Sequence, residues 1–230
     1  MLAMYDIHSG SEWSLNNDLA PQATASIIKV DIMSTLLYHA SRVKESLTKS
    51  ERMLIPPMIE VSSNSAATAM WYAAGGPNGI RAYNTLLGMT KTTMSRCVVC
   101  GRFPWPGWGL TTTTPTDQLR LLKQLVLPSP YLTKEDQYYA LALMSNIEPS
   151  LRWGASEGVP PGSIVAMKTG DLPLDSSDTD WQVNSIGWVD TGSHDYIMAM
   201  LSTGNPSLEY GVDTLNEIST LIWSEWRNDS

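Results

Sequence analysis

Apolar residues come in short runs at both ends of the chain and repeat at helical spacing through its middle. Residues 2–8 and 11–16 read as two short strands around a turn at Ser9-Gly10. A helix is predicted from Ala25 to about His39, and its apolar residues fill most of the circumference, which predicts burial. Residues 41–52 are charged and polar and read as a solvated segment. A second helix is expected from near Ser62 to about Ala74, stopped by Gly75-Gly76-Pro77, and a third from about Gly79 to Leu87. Residues 101–110 mix glycine and proline with aromatic residues and break both periods. Thr114-Pro115-Thr116-Asp117 is a helix start, with a threonine cap, a proline in the first turn and an acid near the positive end of the dipole. Leu119, Leu122 and Leu125/Val126 follow at helical spacing, and another helix covers roughly 133–145. After residue 150, Ile164–Thr169, Trp181–Val189 and Tyr196–Ser202 read as strands. A last helix over about 207–226 puts Leu208, Val212, Leu215, Ile218 and Ile222 on one face. Strands at both ends and helices between them predict an α/β fold, a sheet built from both termini with a helical subdomain inserted. The α/β part takes in about 1–40 and 152–230, and the helical part about 41–151.

Composition narrows the function. A chain of 230 residues, 43% hydrophobic and 17% charged, reads as an ordinary globular protein of one compact domain or two interleaved subdomains. A net charge of −8 leaves no basic footprint for nucleic acid. No apolar run approaches the roughly 18 residues of a membrane span. The opening Met-Leu-Ala-Met-Tyr-Asp has neither the basic nor the apolar region of a signal peptide, so a cytoplasmic protein and one whose export signal is removed both stay open. Cys97 and Cys100 have no histidine nearby to complete the about four ligands of a zinc site. Gly101, Pro104 and Pro106 follow them, against the helix that a redox Cys-x-x-Cys begins. They read as loop cysteines, free or joined in a small local loop. His8, His39 and His194 show no metal-ligand spacing, and neither a metal nor a cofactor is expected.

Three short motifs carry the candidate chemistry: Ser26-Ile27-Ile28-Lys29, Ser62-Ser63-Asn64 and Lys168-Thr169-Gly170. A serine and a lysine three apart on a helix share a face, so the amine can reach the hydroxyl. Such a lysine serves as base only if burial or a nearby cation lowers its pKa, and Lys168 is a candidate for that cation. A serine in the first turn of a helix also has backbone N–H groups beside it that favour a developing oxyanion. Ser62, at another helix start, is placed to relay a proton to the leaving group. Lys168 and Thr169 are suited to an anionic substrate group, and Gly170 lets the substrate backbone come close. Ser-x-x-Lys alone is weak, since it recurs at Ser41/Lys44 and Ser46/Lys49 in the charged stretch. The weight lies in order and context: an apolar helix, a helix start, then a strand. Gly154-Ala155-Ser156-Glu157-Gly158 mimics a nucleophile elbow, but Val159-Pro160-Pro161-Gly162 forbids the helix that motif requires.

With these motifs in this order the chain resembles class A β-lactamases and their penicillin-binding relatives. The resemblance extends to Ala23–Val30, Val61–Ala67, Thr112-Thr113-Thr114-Pro115 with the leucines after it, and Leu151 through Gly162 to Gly170. It implies a transpeptidase-like fold with an antiparallel sheet, and an acyl-enzyme on Ser26. Lys29, Ser62 and Lys168 would be the other catalytic groups, and Asn64 would position substrate. Lys168 and Thr169 would bind its carboxylate, and the backbone N–H groups of Ser26 and Asp171 would form the oxyanion hole. The partner it implies is a small molecule or peptide with a carbonyl to be attacked, and the family's location implies export.

Three departures qualify the resemblance. The family's omega loop carries a glutamate that activates water for deacylation, whereas Arg96 to Thr114 contains no Glu, Asp or Asn. It carries Phe103-Pro104-Trp105-Pro106-Gly107-Trp108 instead. Trp105 and Trp108 read either as packing residues of a rigid loop or as a wall of the site. Asp171 stands where the family usually has a small residue, and its carboxylate would either repel an acidic substrate or pair with a lysine and raise the nucleophile's threshold. The interval from Ser26 to Ser62 is short, so part of the helical subdomain is expected to be trimmed, and the sequence opens at the first strand, where the family's first helix is either missing or cut away. The leading expectation is a serine hydrolase or acyltransferase that turns over β-lactams poorly. The alternatives are a penicillin-recognising or substrate-binding protein without turnover, and a pseudoenzyme that acts as an interaction module.

Overall fold

A computed structural model describes residues 1–98, 100–101 and 105–228. The chain opens with β1 (Leu2–Asp6), β2 (Glu12–Leu15) and the short β3 (Gln22–Ala23). A 3-10 turn at Ala25–Ile27 leads into α1 (Ile28–Val43). Three helices follow: α2 (Lys49–Glu60), α3 (Asn64–Ala73) and α4 (Gly76–Leu86). A second 3-10 turn at Gly107–Leu110 precedes β4 (Thr112–Thr113), α5 (Pro115–Val126) and α6 (Lys134–Ser145). The last segment holds β5 (Ile164–Pro173), β6 (Trp181–Asp190), β7 (Asp195–Asn205) and α7 (Leu208–Asn228).

The main sheet has the order β2-β1-β7-β6-β5, and every adjacent pair is antiparallel. The first strands therefore pair with the last, as the distribution of strand-like segments predicted. Alternate residues face opposite sides of a strand. Ala166, Ile186, Ile197 and Ala199 join one apolar cluster with α1 and the other middle helices. Val165, Met167, Val183, Met198 and Met200 join a second with Leu215 and Trp223 of α7. Helices cover both faces, which is why these strands are nearly continuous runs of buried residues.

Helix α1 is the axis of the helical layer. Its residues from Ile28 to Leu37 are all buried, Lys29 and Asp31 included. Asn84 of α4 donates to the Asp31 carboxylate at 2.7 Å, and burial raises that carboxyl to about 7. The helix runs past the expected end at His39 to Val43 and stops where Lys44 turns left-handed, at φ 57°.

One element differs from the sequence reading. The solvated segment expected over 41–52 contains the start of α2. Thr48 accepts a hydrogen bond from the backbone N–H of Glu51, and the Glu51 carboxylate accepts one from the N–H of Thr48, a reciprocal cap. The charged residues form the exposed first turn, and Ile55, Met58 and Ile59 bury the far face. Pro56 and Pro57, inside the helix, each remove a backbone donor and masked the helical period. Thr48→Ala is expected to destabilise the protein by about 1 kcal/mol, read as a lower urea midpoint with an unchanged slope. An unchanged midpoint would show that the cap is idle.

Candidate active site

The site forms where the turn before α1 meets the edge strand β5. Ser26 lies in the Ala25–Ile27 turn, half-buried, and Ala25 before it holds a left-handed φ of 48°. That conformation is uncommon outside glycine and persists only when its surroundings enforce it. The enforcing contacts are visible. Thr24 donates its N–H to Thr111 O at 2.7 Å. The Asn184 side chain, buried on β6, donates to the carbonyls of both Ala23 and Thr24 at 2.9 Å, and Gln182 donates to Asn184 Oδ1 at 2.6 Å. Strand β5 crosses so close that a Cβ on Gly170 would sit 2.6 Å from Ser26 N and 2.8 Å from Ile27 N. Only glycine fits there, for the sake of the Ser26 turn itself.

Lys29 and Lys168 converge on Ser62. Lys29 Nζ lies 2.9 Å from Ser26 Oγ and 2.9 Å from Ser62 Oγ, and donates to Ser62 O at 2.6 Å and Asn64 Oδ1 at 2.8 Å. Lys168 Nζ lies 3.0 Å from Ser62 Oγ and donates to Thr169 O at 3.0 Å. Both lysines are wholly enclosed. Burial first, then the neighbouring Lys168, lowers Lys29 to about 6, against an opposing pull from Asp171. Burial lowers Lys168 to about 7, again opposed by Asp171. Burial raises the Asp171 carboxyl, which the two lysines pull back down. Ser62 has φ 55° and precedes α3 instead of capping it. The cap is Ser63, whose hydroxyl accepts from Ala66 N.

A cleft of about 310 Å³ opens onto these groups. Ser26, Ser62, Asn64, Thr169 and Asp171 line it together with Trp105 and Trp108. The two indoles stack, with centroids 5.8 Å apart. Trp108 is buried, donates its Nε1–H to Thr68 Oγ1 at 3.2 Å, and sets its ring centroid 5.1 Å from Lys29 Nζ. Both sequence readings of this loop have a counterpart: Trp105 and Trp108 line the cleft, and Trp108 is also packed in the helical core with Trp105 against it. Phe103 and Pro104, the start of the same motif, lie outside the described residues. Cys97 and Cys100 form a disulfide beside the loop, and Gly107 donates its N–H to Cys97 O at 2.8 Å.

Every catalytic or binding residue singled out in the sequence therefore lies at or under one cleft. Two are engaged differently from expectation: the Lys168 ammonium is enclosed beneath Ser62, and the Thr169 hydroxyl donates to Leu151 O at 2.9 Å. Sequence reasoning missed Asn184 and Gln182, which shape the turn from behind. Their signal was a run of polar residues, Gln182, Asn184 and Ser185, inside a strand otherwise set for the core.

A helix-flanked antiparallel sheet with a serine turn and two buried lysines at its edge defines a class, and comparison with known proteins gives the family. A profile of the β-lactamase enzyme family matches residues 41–226, and the chain belongs to that family. The matched segment takes in Ser62, Asn64 and Lys168 to Asp171, and begins after Ser26 and Lys29. Among solved structures, the chain is similar to the TLA-1 extended-spectrum β-lactamase (17% identity, 97% of this chain and 91% of that one, TM-score 0.82). It is also similar to PBP-A (19% identity, 99% and 89%, TM-score 0.80). A third similar structure is a variant of the class A β-lactamase of the last common ancestor of Gram-negative bacteria (18% identity, 100% and 93%, TM-score 0.77). These likenesses show the shared fold. A search of curated proteins finds no match.

Two outcomes follow from this geometry. Gly170→Ala forces backbone against backbone and is expected to destabilise the protein by about 1–3 kcal/mol in urea unfolding. A variant as stable as the parent would show that β5 can step back. The second concerns pH. Between about 6 and its ordinary 10.5, Lys29 is neutral in the folded chain and charged in the unfolded one. The unfolded state holds the extra proton, so this group makes stability climb as pH rises through that window. The melting temperature of the parent relative to Lys29→Met should rise from pH 6 to pH 9, and a falling difference would mean that Lys29 keeps its proton on folding.

Proposed function

We propose that the chain is a serine acyl-transfer enzyme in which Ser26 attacks the carbonyl of an amide, ester or β-lactam. The observation that carries this reading is the Lys29 amine, enclosed, with a pKa near 6, 2.9 Å from Ser26 Oγ. Near neutral pH it is mostly an unprotonated base within hydrogen-bond reach of the hydroxyl it must activate. In the proposed sequence Ser26 Oγ bonds to the carbonyl carbon while its proton passes to Lys29. The backbone N–H groups of Ser26 and Asp171 receive the oxyanion. Ser62, between the two lysines, passes a proton to the leaving atom as its bond to carbon breaks, and is resupplied from Lys29. Lys168 tunes that relay by its charge, and Asn64 orients both Lys29 and the substrate. The chemistry uses protein groups throughout.

Release of the acyl group is the slow half of this proposal for β-lactams. The segment from Arg96 to Thr114 offers no carboxylate, and the Trp108 ring stands over Lys29. Water has no base from that side, so a β-lactam acyl-enzyme should persist. The same observation favours the second reading, a penicillin-recognising protein that acylates and stalls. The Cys97–Cys100 disulfide supports an oxidising compartment and so an exported protein.

Intact mass after incubation with a penicillin is expected to show one adduct on the parent and none on Ser26→Ala, with slow hydrolysis of a chromogenic cephalosporin. Rapid drug consumption with no adduct would overturn slow release, and no adduct with no consumption of drug, ester or peptide would overturn acyl transfer itself. Because acylation needs neutral Lys29, its rate should rise with pH and level off above about 6. A rate that falls over pH 5 to 7 would remove Lys29 as the base.

A further inference from the structure

The charge of the cleft differs from that of its floor. Among the described residues that line it, Asp171 is the charged one. The two lysines lie beneath, and their nitrogens are taken up by Ser26, Ser62, Asn64 and the Thr169 carbonyl. Neither lies within ion-pairing distance of Asp171 among the described contacts. The Thr169 hydroxyl is likewise engaged, with Leu151 O. A ligand entering the cleft therefore meets one carboxylate, two stacked indoles and the apolar Leu151, Leu172 and Pro173. A carboxylate beside aromatic rings and apolar surface is a setting for an amine cation, which gains from the ring quadrupole and from the opposite charge. An anionic group would meet that carboxylate, and among the described residues the Lys29 and Lys168 nitrogens and the Thr169 hydroxyl are already engaged.

We propose that the cleft selects substrates bearing a cationic amine on a short apolar arm, held between Asp171 and the Trp105–Trp108 wall. This deepens the acyl-transfer reading and rests on it. Asp171 then has two parts: its backbone N–H faces the oxyanion, and its carboxylate chooses the substrate.

The test uses matched neutral isosteres, in which a trimethylammonium group is replaced by tert-butyl. For a cation in the acyl half, the pair is the p-nitrophenyl ester of 4-(trimethylammonio)butanoic acid and that of 5,5-dimethylhexanoic acid. For a cation in the leaving half, it is acetylthiocholine and 3,3-dimethylbutyl thioacetate. In each, the bond from the carbonyl carbon to the leaving oxygen or sulfur breaks as that to Ser26 Oγ forms. The Ser26 proton departs with the phenol or thiol by way of Lys29 and Ser62. First-turnover release is measured for each probe and divided by its rate with hydroxide, which removes intrinsic reactivity. The parent is expected to favour the cationic member of at least one pair by about tenfold, and Asp171→Asn to bring that ratio to about one or two. The ratio within one protein is immune to any change that the substitution makes in overall activity. Acylation of Ser26 by both members with a ratio near one in both pairs would overturn cation selection and leave acyl transfer standing. So would a preference that Asp171→Asn leaves intact. No acylation by any probe, with none by penicillin, would overturn both.

Discussion

Burial of the Lys29 amine against the hydroxyls of Ser26 and Ser62 is the constraint around which this molecule is organised. A charged lysine strongly resists leaving water, and here two are enclosed within reach of the same serine. The fold supplies what such a group needs, with acceptors on Lys29 from the turn before α1 and from the start of α3. The price is a lysine that keeps its proton poorly. That weakness suits it to the proposed role of base, and the buried residues around α1 maintain it.

The aromatic loop changes the consequences of that chemistry. In the relatives to which the sequence was likened, a carboxylate on this side would prepare water; here an indole stands over Lys29, the proposed base. The Trp108 ring excludes solvent, and its bond to Thr68 ties the loop to α3. The proposed enzyme is thus built to form an acyl intermediate and to withhold it from water, which suits transfer to an acceptor that brings its own reactivity. Among the described residues, the carboxylate that lines the cleft comes from β5, the strand that abuts the Ser26 turn.

Much of this was legible in the sequence because the chemistry needs fixed intervals. Ser26 and Lys29 share a helical face whatever surrounds them, and Gly170 can be read as a close-approach glycine from its motif. What it approaches was less legible. The motif suggested substrate backbone, whereas the structure shows the N–H groups of Ser26 and Ile27. Helix α2 was hidden because its prolines and charged first turn imitate a loop, although Thr48 and Glu51 carry the cap pattern. Ser62 was read as a helix start, but it has a left-handed backbone, and its carbonyl and hydroxyl meet Lys29 and Lys168 in contacts that no local pattern encodes. Asn184 and Gln182 were passed over for the same reason: a polar residue in a strand reveals its partner only when the strand is placed.

Those two side chains give the site an order of assembly. The turn that holds Ser26 is encoded among the first thirty residues, yet Asn184 grips its carbonyls from β6 and Gly170 abuts it from β5. Synthesised from one end to the other, the chain makes Ser26, the proposed nucleophile, long before it makes the mould that shapes its turn. A nascent or unfolded chain carries an ordinary serine and an ordinary charged lysine. In the proposed mechanism, reactivity arrives only when the last strands close on the first, and the polypeptide stays chemically quiet until its fold is complete.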